Sequence, residues 1–320
     1  MFNNASYSRI MNQTTNTILM VRPTCFAYNI ETASNNYYQK NISGLSGSQV
    51  QEKALYEFDK FVRKLKEASI NVIVFEDLKK SKTPDSIFPN NWISTHDDGS
   101  IFLYPMFAQN RRDERRSDII QFLKDHFYVK NIFDNTVFYE KNNLFLEGTG
   151  SMIFDRTSRI AYACISERTN EELFKEWCLR MNFTPVSFSA TQLVKKKKQL
   201  IYHTNVMMCI ADRFAIVCLK SISSNLERNK VINSLRISGK EIIDITEDQK
   251  NKFAGNMLQL MGDKPYLVMS NSAFNSLTKY QIKQINKYCS IIYSSLDTIE
   301  ACGGGSARCM IAEVFLQKKI

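Results

Sequence analysis

Residues 214–245 read FAIVCLKSISSNLERNKVINSLRISGKEIIDI and contain the unit that decides the fold. The apolar run 214–219 is typical of a buried strand. Residues 225–235 have the spacing of apolar side chains expected of a helix, and the β-branched run 241–245 favours a second strand. The stretch therefore predicts a strand, a helix and a strand in succession.

A similar succession occurs five times along the chain. Four rounds are strand, helix and strand: 18–21, 48–69 and 71–75; 100–104, 113–126 and 131–133; 214–219, 225–235 and 241–245; 266–269, 278–288 and 291–293. The remaining round has two strands, 152–155 and 159–164, followed by the helix 170–181. The repetition is one of pattern, without close residue-level similarity, and no low-complexity linker interrupts it. We predict one α/β domain of repeated strand–helix–strand modules over residues 17–320. Residues 1–16, which are polar and asparagine-rich, are expected to be disordered or frayed.

The composition is that of an ordinary globular protein, with 44% hydrophobic and 23% charged residues. A net charge of +10 would suit an anionic partner, but the basic residues are scattered. Their main cluster, residues 195–198, is too short to indicate nucleic-acid binding and is expected to be a solvated loop. No apolar run approaches the length of a membrane span. We therefore expect neither a nucleic acid nor a membrane as partner.

Cysteine and histidine usage argues against a metal centre. The chain has eight cysteines without a C-x-x-C pair and three histidines, so the spacing of a zinc site is absent. No signal peptide is recognised, which favours reduced thiols and a cytoplasmic protein. We predict no metal and no cofactor.

Four polar stretches stand at the ends of predicted strands. They are PDSIFPNNW at 84–92, FLEGTGS at 145–151, YHTNVMM at 202–208 and CGGGSARC at 302–309. Each by itself is also compatible with a structural turn, and Cys309 with a small buried hydrophobe.

Together the stretches offer the parts of a cysteine-dependent catalyst. Cys309 follows three glycines, which let a ligand approach the backbone closely and leave amides free to stabilise a thiolate. A thiolate needs an acid/base partner, usually histidine. His203 lies at a bend between apolar segments, whereas His96 and His126 are expected on the surface. Glu147 can orient the imidazole. A purely structural role for His203 stays open at this point.

The ordered set DSIFPNNW, LEGTGS, HTN and GGGSARCM resembles the guanidino-group modifying superfamily of arginine deiminases, dimethylarginine hydrolases and glycine amidinotransferases. The nearest subfamily is that of the citrulline-utilisation hydrolases, which the start of the chain, residues 20–39, also resembles. The resemblance covers about residues 17–315. It implies a five-bladed, pseudo-symmetric α/β propeller with the active site in its central channel.

The resemblance also implies roles for individual residues. The family's nucleophilic cysteine falls on Cys309, its catalytic histidine on His203 and its glutamate on Glu147. Asp85 matches an aspartate that holds the amino-acid end of the substrate in dimethylarginine hydrolases. Gly150 departs from the family, because it stands where the E-G-G-D motif has an aspartate.

Three further substrate-binding candidates, Asn90, Asn91 and Asn205, stand where guanidinium-using relatives carry acidic residues. A guanidinium is a fixed cation and needs carboxylates, whereas an amide matches the donors and the acceptor of a neutral ureido group. We therefore expect hydrolysis of citrulline to ornithine, ammonia and carbon dioxide.

The alternatives are an arginine or dimethylarginine deiminase or hydrolase, an amidinotransferase, or a ribosome-binding factor on the same fold. In each enzymatic interpretation the partner is a small amino-acid substrate. The oligomeric state and the residues that bind the substrate carboxylate stay open, with four arginines as candidates for the latter: Arg22, Arg111, Arg112 and Arg308.

Overall fold

The computed structural model of the protein describes residues 12–78 and 83–320. Its strands are β1 (Thr17–Arg22), β2 (Asn71–Glu76), β3 (Ile93–Thr95), β4 (Ser100–Leu103), β5 (Asn131–Phe133), β6 (Met152–Asp155), β7 (Ile160–Cys164), β8 (Thr184–Phe188), β9 (Thr191–Val194), β10 (Lys197–Leu200), β11 (Met208–Ile210), β12 (Phe214–Val217), β13 (Glu241–Asp244), β14 (Leu258–Met261), β15 (Pro265–Ser270), β16 (Ser290–Ser294) and β17 (Ala312–Glu313). Its α-helices are α1 (Gly47–Glu67), α2 (Ser117–His126), α3 (Thr136–Lys141), α4 (Gly148–Ser151), α5 (Glu171–Met181), α6 (Asn225–Ile237), α7 (Glu247–Asn251), α8 (Asn271–Ser276), α9 (Lys279–Ile285) and α10 (Asp297–Gly303).

Within the described residues the strands form five three-stranded sheets and one two-stranded hairpin. In each three-stranded sheet an antiparallel pair is followed by a parallel pair, and a helix connects the parallel strands. In the first sheet the antiparallel partner of β1 is β17, the last strand of the chain. The predicted α/β fold of repeated strand–helix–strand modules is therefore found, with the two ends of the chain joined in one sheet.

We call β17, β3, β6, β11 and β14 the lead strands, because each is the antiparallel member at one edge of its sheet. Lead strands of different sheets contact one another, β17 with β3, β6 with β11 and β11 with β14. The elements predicted from the sequence do not include three of the lead strands, β3, β11 and β14. These three have three or four residues and are mostly buried on both faces, so they show no polar–apolar alternation that would mark them.

Two other predicted elements differ in detail. The helix expected over 113–126 begins at Ser117, because Gln109–Glu114 forms a 3-10 helix and Arg115 and Arg116 are extended. The basic cluster 195–198 is exposed, as expected, but only residues 195 and 196 form a turn, because residues 197 and 198 begin β10 of the β9–β10 hairpin.

Helix α1 shows how the sheets are tied to the C-terminal loop. It begins with a capping box between Ser46 and Gln49, which satisfies backbone donors that have no partner within the helix. Its buried face includes Glu57, whose carboxylate accepts hydrogen bonds from the backbone amides of Thr298 and Ile299 at 2.9–3.1 Å. These amides open α10, so Glu57 fixes the helix that leads into the glycine run.

The segment expected to be disordered or frayed, residues 1–16, lies outside the described residues over 1–11. In the described part, the Gln13 side chain donates to the carbonyl oxygens of Phe154 and Ile210 at 2.9 and 3.2 Å. Thr15 donates to Val314 O at 2.8 Å. Residues 12–16 therefore differ from the expectation, because buried carbonyl groups between the sheets need these donors.

His96 was expected on the surface and is buried instead. It hydrogen-bonds to Ser94 at 2.9 Å and packs edge-on against Phe102. Burial lowers its pKa well below the usual value. His126 is exposed, as expected.

Seven of the eight cysteines are buried free thiols, and Cys25 is partly exposed. No cluster of three or more metal-ligating side chains occurs in residues 12–78 and 83–320. Among the helices of the same residues, none has the length and apolar character needed to cross a bilayer.

Candidate active site

A short turn precedes each lead strand, and several polar side chains of the site lie in or next to these five turns. The turns are the 3-10 turn Pro89–Asn91, the short helix α4, the 3-10 turn Thr204–Val206, residues 252–256 and residues 306–310. Helix α4 contacts the turns before β3 and β11. Four of the five turns are the polar stretches found in the sequence, and the structure brings them together.

His203 and Glu147 form the central hydrogen-bonded pair. His203 Nε2 lies 2.8 Å from Glu147 Oε2, and both residues are buried. Burial opposes ionisation of Glu147, but Arg168, His203 and Arg111 together outweigh it and lower its pKa to about 2. The carboxylate is thus ionised and only accepts, so Nε2 carries a hydrogen and Nδ1 of the neutral ring is the basic atom.

Burial lowers the pKa of His203 to about 4, although the Glu147 carboxylate opposes this shift. The imidazole is therefore neutral at physiological pH. It can accept a proton during a reaction, and Glu147 would stabilise the imidazolium that forms.

Cys309 lies in the last of the five turns, 4% exposed. Its Sγ accepts hydrogen bonds from Asn256 Nδ2 at 3.1 Å and Asn205 Nδ2 at 3.4 Å. Since Asn205 follows His203 by two residues, the run 203–205 contacts Glu147 at one end and Cys309 at the other. Burial raises the pKa of the Cys309 thiol, while hydrogen bonds and Arg308 oppose the rise.

The glycine run before Cys309 is held through its carbonyl groups. Gln39, Asn36 and Tyr202 side chains donate to the carbonyl oxygens of residues 302, 303 and 304 at 2.7–3.1 Å. Gly304 has φ +64° and a Cβ there would lie 2.5 Å from the Asn36 side chain, so only glycine fits without strain. The expectation of free amides fails at Cys309, whose N–H donates to Ser306 O at 2.9 Å.

The four predicted substrate-binding residues share an unusual property. Asp85, Asn90, Asn91 and Asn205 are at most 3% exposed, yet each has a polar side-chain atom with no hydrogen-bond partner among the described residues. The atoms are Asp85 Oδ1, Asn90 Nδ2, Asn90 Oδ1, Asn91 Nδ2 and Asn205 Oδ1. Such groups are costly to bury, which is typical of a site built for a polar ligand.

Arg111 connects these residues to the pair formed by His203 and Glu147. Its guanidinium makes a bidentate pair with Glu114 at 2.8 Å and donates to Asn91 Oδ1 at 2.9 Å. It also lies 3.8 Å from Asp85 and 3.9 Å from Glu147. Burial raises the pKa of Glu114 to about 7, against the effect of Arg111. Of the four arginine candidates for the substrate carboxylate, Arg111 lies at the site.

The remaining candidates have structural partners. Arg22 pairs with Asp59, Arg308 with Glu313, and Arg112 donates to Met106 O while lying 3.6 Å from Glu140. The second arginine at the site is Arg168, which sequence reasoning missed.

Arg168 Nη1 lies 3.6 Å from Glu147 Oε2, and its guanidinium lies 4.9 Å from the centre of the Tyr202 ring. It also donates to Thr32 O at 3.0 Å. Its sequence signal is weak, because it stands in a polar loop away from the four stretches.

Gly150, the departure from the family motif, has no space for a side chain. A Cβ would lie 2.4 Å from Asn91 Nδ2 and 2.8 Å from His203 Nδ1. Where the family motif has an aspartate, this chain has a glycine, on which Asn91 and His203 pack closely.

Asn256, in the turn before β14, is the other residue that sequence reasoning missed. It donates to the Cys309 sulfur and to Asn205 O. Its position could have identified it, because residues 255 and 256 precede a lead strand as the four polar stretches do. That strand, β14, was not predicted, so the position was not recognised.

The family profile described as "N,N dimethylarginine dimethylhydrolase, eukaryotic" matches residues 22–316. The chain belongs to this family. The resemblance to guanidino-group modifying enzymes is thereby confirmed. Membership of the dimethylarginine dimethylhydrolase family also agrees with the predicted class of hydrolases acting on carbon–nitrogen bonds. No curated protein matches the chain in sequence.

Solved structures of family-like proteins share the fold. The N-terminal domain of ArgZ, an arginine dihydrolase from the ornithine–ammonia cycle in cyanobacteria, was solved as a mutant bound to substrate. It superposes with a TM-score of 0.70 at 19% identity, over 93% of this chain and 97% of that one. A dimethylarginine dimethylaminohydrolase adduct gives 0.60 at 14%, over 93% and 98%. At these identities the likeness concerns the α/β fold.

The chain spans less than half of the complete ArgZ and AgrE chains. It covers 41% of the complete ArgZ chain, with a TM-score of 0.70 and 18% identity, while 95% of this chain is covered.

Proposed function

We propose that the protein is a cysteine-dependent hydrolase of a ureido amino acid, and that it converts citrulline to ornithine, ammonia and carbon dioxide. Cys309 is the proposed nucleophile, His203 the acid and base, and Glu147 the residue that orients His203. Asp85, Asn90, Asn91 and Asn205 are the proposed substrate-binding residues.

The orientation of the Asn91 side-chain amide is the main support for a ureido substrate. Arg111 can only donate, so the 2.9 Å contact from its Nη1 identifies the Asn91 oxygen. The amide nitrogen must then be the atom near Gly150 and His203, where it has no partner among the described residues. A site with a fixed N–H donor beside its base needs an acceptor on the substrate.

A ureido group supplies that acceptor, because its carbonyl oxygen can receive the Asn91 hydrogen bond. A guanidinium has donors only, so it would place N–H against N–H at this point. The carboxylates at the site are moreover occupied: Glu147 and Glu114 both face Arg111, and Glu147 also faces Arg168 and His203. A second cation would find little unpaired negative charge there beyond Asp85.

The proposed reaction begins with a neutral thiol and a neutral imidazole. The Cys309 sulfur attacks the ureido carbon as its proton passes to His203, and Asn91 stabilises the oxyanion. The carbon–nitrogen bond to the side chain breaks, His203 returns the proton to the departing amine, and ornithine leaves. Cys309 then carries an S-carbamoyl group. His203 takes a proton from water as the water oxygen attacks the carbonyl carbon of this group. The carbon–sulfur bond then breaks, His203 returns the proton to the sulfur, and the free thiol and carbamic acid result. Carbamic acid decomposes to ammonia and carbon dioxide.

A covalent intermediate also has a precedent on this fold, since the N-terminal domain of an ArgZ variant was solved covalently bonded to a reaction intermediate. ArgZ and the dimethylarginine hydrolases are named for arginine substrates. Arginine and dimethylarginine are therefore the competing substrates in the test.

The decisive assay offers citrulline, arginine and dimethylarginine separately to the purified protein and quantifies ornithine, citrulline and ammonia. We expect ornithine from citrulline with kcat/KM at least about tenfold above that for arginine, which corresponds to about 1.4 kcal/mol in the transition state. Arginine converted to ornithine more efficiently than citrulline, or to citrulline without further hydrolysis, would refute the choice of a ureido substrate.

The same proposal includes the architecture and location. We infer that the five three-stranded sheets are the blades of a pseudo-symmetric α/β propeller over residues 17–320, with the five turns at one end of its channel. The lead-strand contacts and the pairing of β17 with β1 support this closure. The free thiols support a reducing, cytoplasmic location.

A further inference from the structure

Asn256 stands between the two segments that carry the proposed nucleophile and base. It lies in the turn between α7 and β14 and is fully buried. The preceding Gly255 packs directly on the turn that follows His203, since a Cβ at Gly255 would lie 2.6 Å from Val206 O. This close approach places the Asn256 side chain within reach of both Asn205 and Cys309.

All the hydrogen-bonding capacity of the Asn256 side chain is directed to these two segments. Nδ2 donates to Cys309 Sγ at 3.1 Å and to Asn205 O at 2.9 Å. Oδ1 accepts from the backbone N–H groups of Arg308 at 3.0 Å and Cys309 at 3.4 Å. Backbone amides only donate and carbonyl oxygens only accept, so the amide cannot be reversed. The atom facing the sulfur is therefore a true donor.

We propose that Asn256 holds the Cys309 sulfur in place and stabilises its thiolate, and so sets the reactivity of the nucleophile. The proposal depends on the proposed function for its effect on turnover, but not for its effect on the thiol. A hydrogen-bond donor favours the charged form of the atom that it contacts. Asn205 is the second side-chain donor to the sulfur and lies farther away, at 3.4 Å.

Other groups near the sulfur are less able to take this role. The Arg308 guanidinium donates to Glu313 and to Ile311 O at 2.6 and 2.8 Å, so it acts on Cys309 from a distance. His203 Nε2 is engaged by Glu147. Asn256 is the side chain that both touches the sulfur and fixes the backbone of the loop carrying it.

The test uses Asn256→Asp and Asn256→Ala in the full-length protein. The aspartate keeps an acceptor for the amides of Arg308 and Cys309 but replaces the donor facing the sulfur by an oxygen. The alanine removes all four hydrogen bonds. The readout is the rate at which iodoacetamide alkylates Cys309 as a function of pH. It is measured in the absence of substrate, by mass spectrometry of the peptide that contains Cys309.

We expect both variants to react at least about tenfold more slowly than the wild type at pH 7, with the midpoint of the pH profile about one unit higher. Aspartate should have the larger effect, because its charge repels the thiolate. In turnover, kcat should fall by about tenfold or more while KM changes little, since the proposed role of Asn256 does not include binding substrate.

A matched control is Gln13→Glu. The Gln13 amide also donates to two buried carbonyl groups, and its oxygen accepts from the Arg156 N–H at 2.8 Å. The Gln13→Glu substitution should lower the unfolding temperature without changing the pH dependence of the alkylation of Cys309.

An unchanged profile in folded Asn256 variants would overturn the proposal, as would failure of both variants to fold while Gln13→Glu folds, because Asn256 would then be a structural residue. A wild type that does not hydrolyse citrulline, combined with the expected shift in the alkylation profile, would refute the substrate and leave the role of Asn256 intact.

Discussion

Two buried polar clusters lie at the two ends of strand β6, and they differ in how completely they are paired. The cluster before β6 is the candidate active site, with Asn90, Asn91, Asp85 and Asn205 holding side-chain atoms that have no partner in the described residues. The cluster after it is built around Arg156. The backbone N–H of Arg156 donates to the Gln13 side chain, and its guanidinium carbon lies 3.8 Å from the centre of the Phe315 ring.

The second cluster is largely paired by the protein itself. Arg156 lies 3.4 Å from His96 Nδ1 and 3.8 Å from Glu313, and Glu313 pairs with Arg308. Both clusters are polar and buried, so burial and charge alone do not distinguish site from scaffold. The difference lies in the number of unpaired atoms among the described residues: the first cluster has five, whereas the second has one, Asp155 Oδ2.

Removing the sulfur of the first cluster should have the largest effect. Cys309→Ser is nearly isosteric, so the fold should persist, but an alkoxide forms far less readily than a thiolate. We expect a loss of activity of at least about a thousandfold, with an unfolding temperature close to that of the wild type. Retention of a tenth of the citrulline turnover would show that another group attacks.

Changing one unpaired amide should alter selectivity rather than abolish activity. Asn91→Asp replaces the donor near Gly150 by an acceptor with negative charge, which suits a guanidinium. The ratio of kcat/KM for citrulline to that for arginine should fall by about tenfold or more. The measurement is side-by-side quantification of ornithine from both substrates. A ratio that does not move would mean that Asn91 does not face the substrate.

The paired cluster should respond in stability only. Gln13→Glu removes the donor to two buried carbonyl groups, which costs about 1–3 kcal/mol for each group left without a partner. We expect a lower midpoint in urea unfolding, with kcat/KM for citrulline unchanged within about twofold. A large loss of activity in the folded variant would break the distinction between the two clusters.

The amino-acid sequence by itself determined the α/β class, the repeated modules and the polar stretches. These properties are local, since apolar spacing and turn residues act within a few positions of the chain. It also selected Cys309, His203 and Glu147, because their order matches a known family. His203 contacts Glu147, and Asn205 of the same turn contacts Cys309, while the chemical roles of the three residues stay proposals.

The tertiary structure alone decided which polar atoms are paired. Arg168 and Asn256 were missed because their partners are distant in the chain. His96 was misplaced on the surface because two of the rings that pack against it, Phe154 and Trp177, come from distant parts of the chain. Asn256 meets Cys309 across 53 positions and Arg168 meets Thr32 across 136. The five turns become one site only when the lead strands pack together, β17 closing on β1. A hydrogen bond depends on position in space to within a few tenths of an ångström, and no local pattern of residues encodes that.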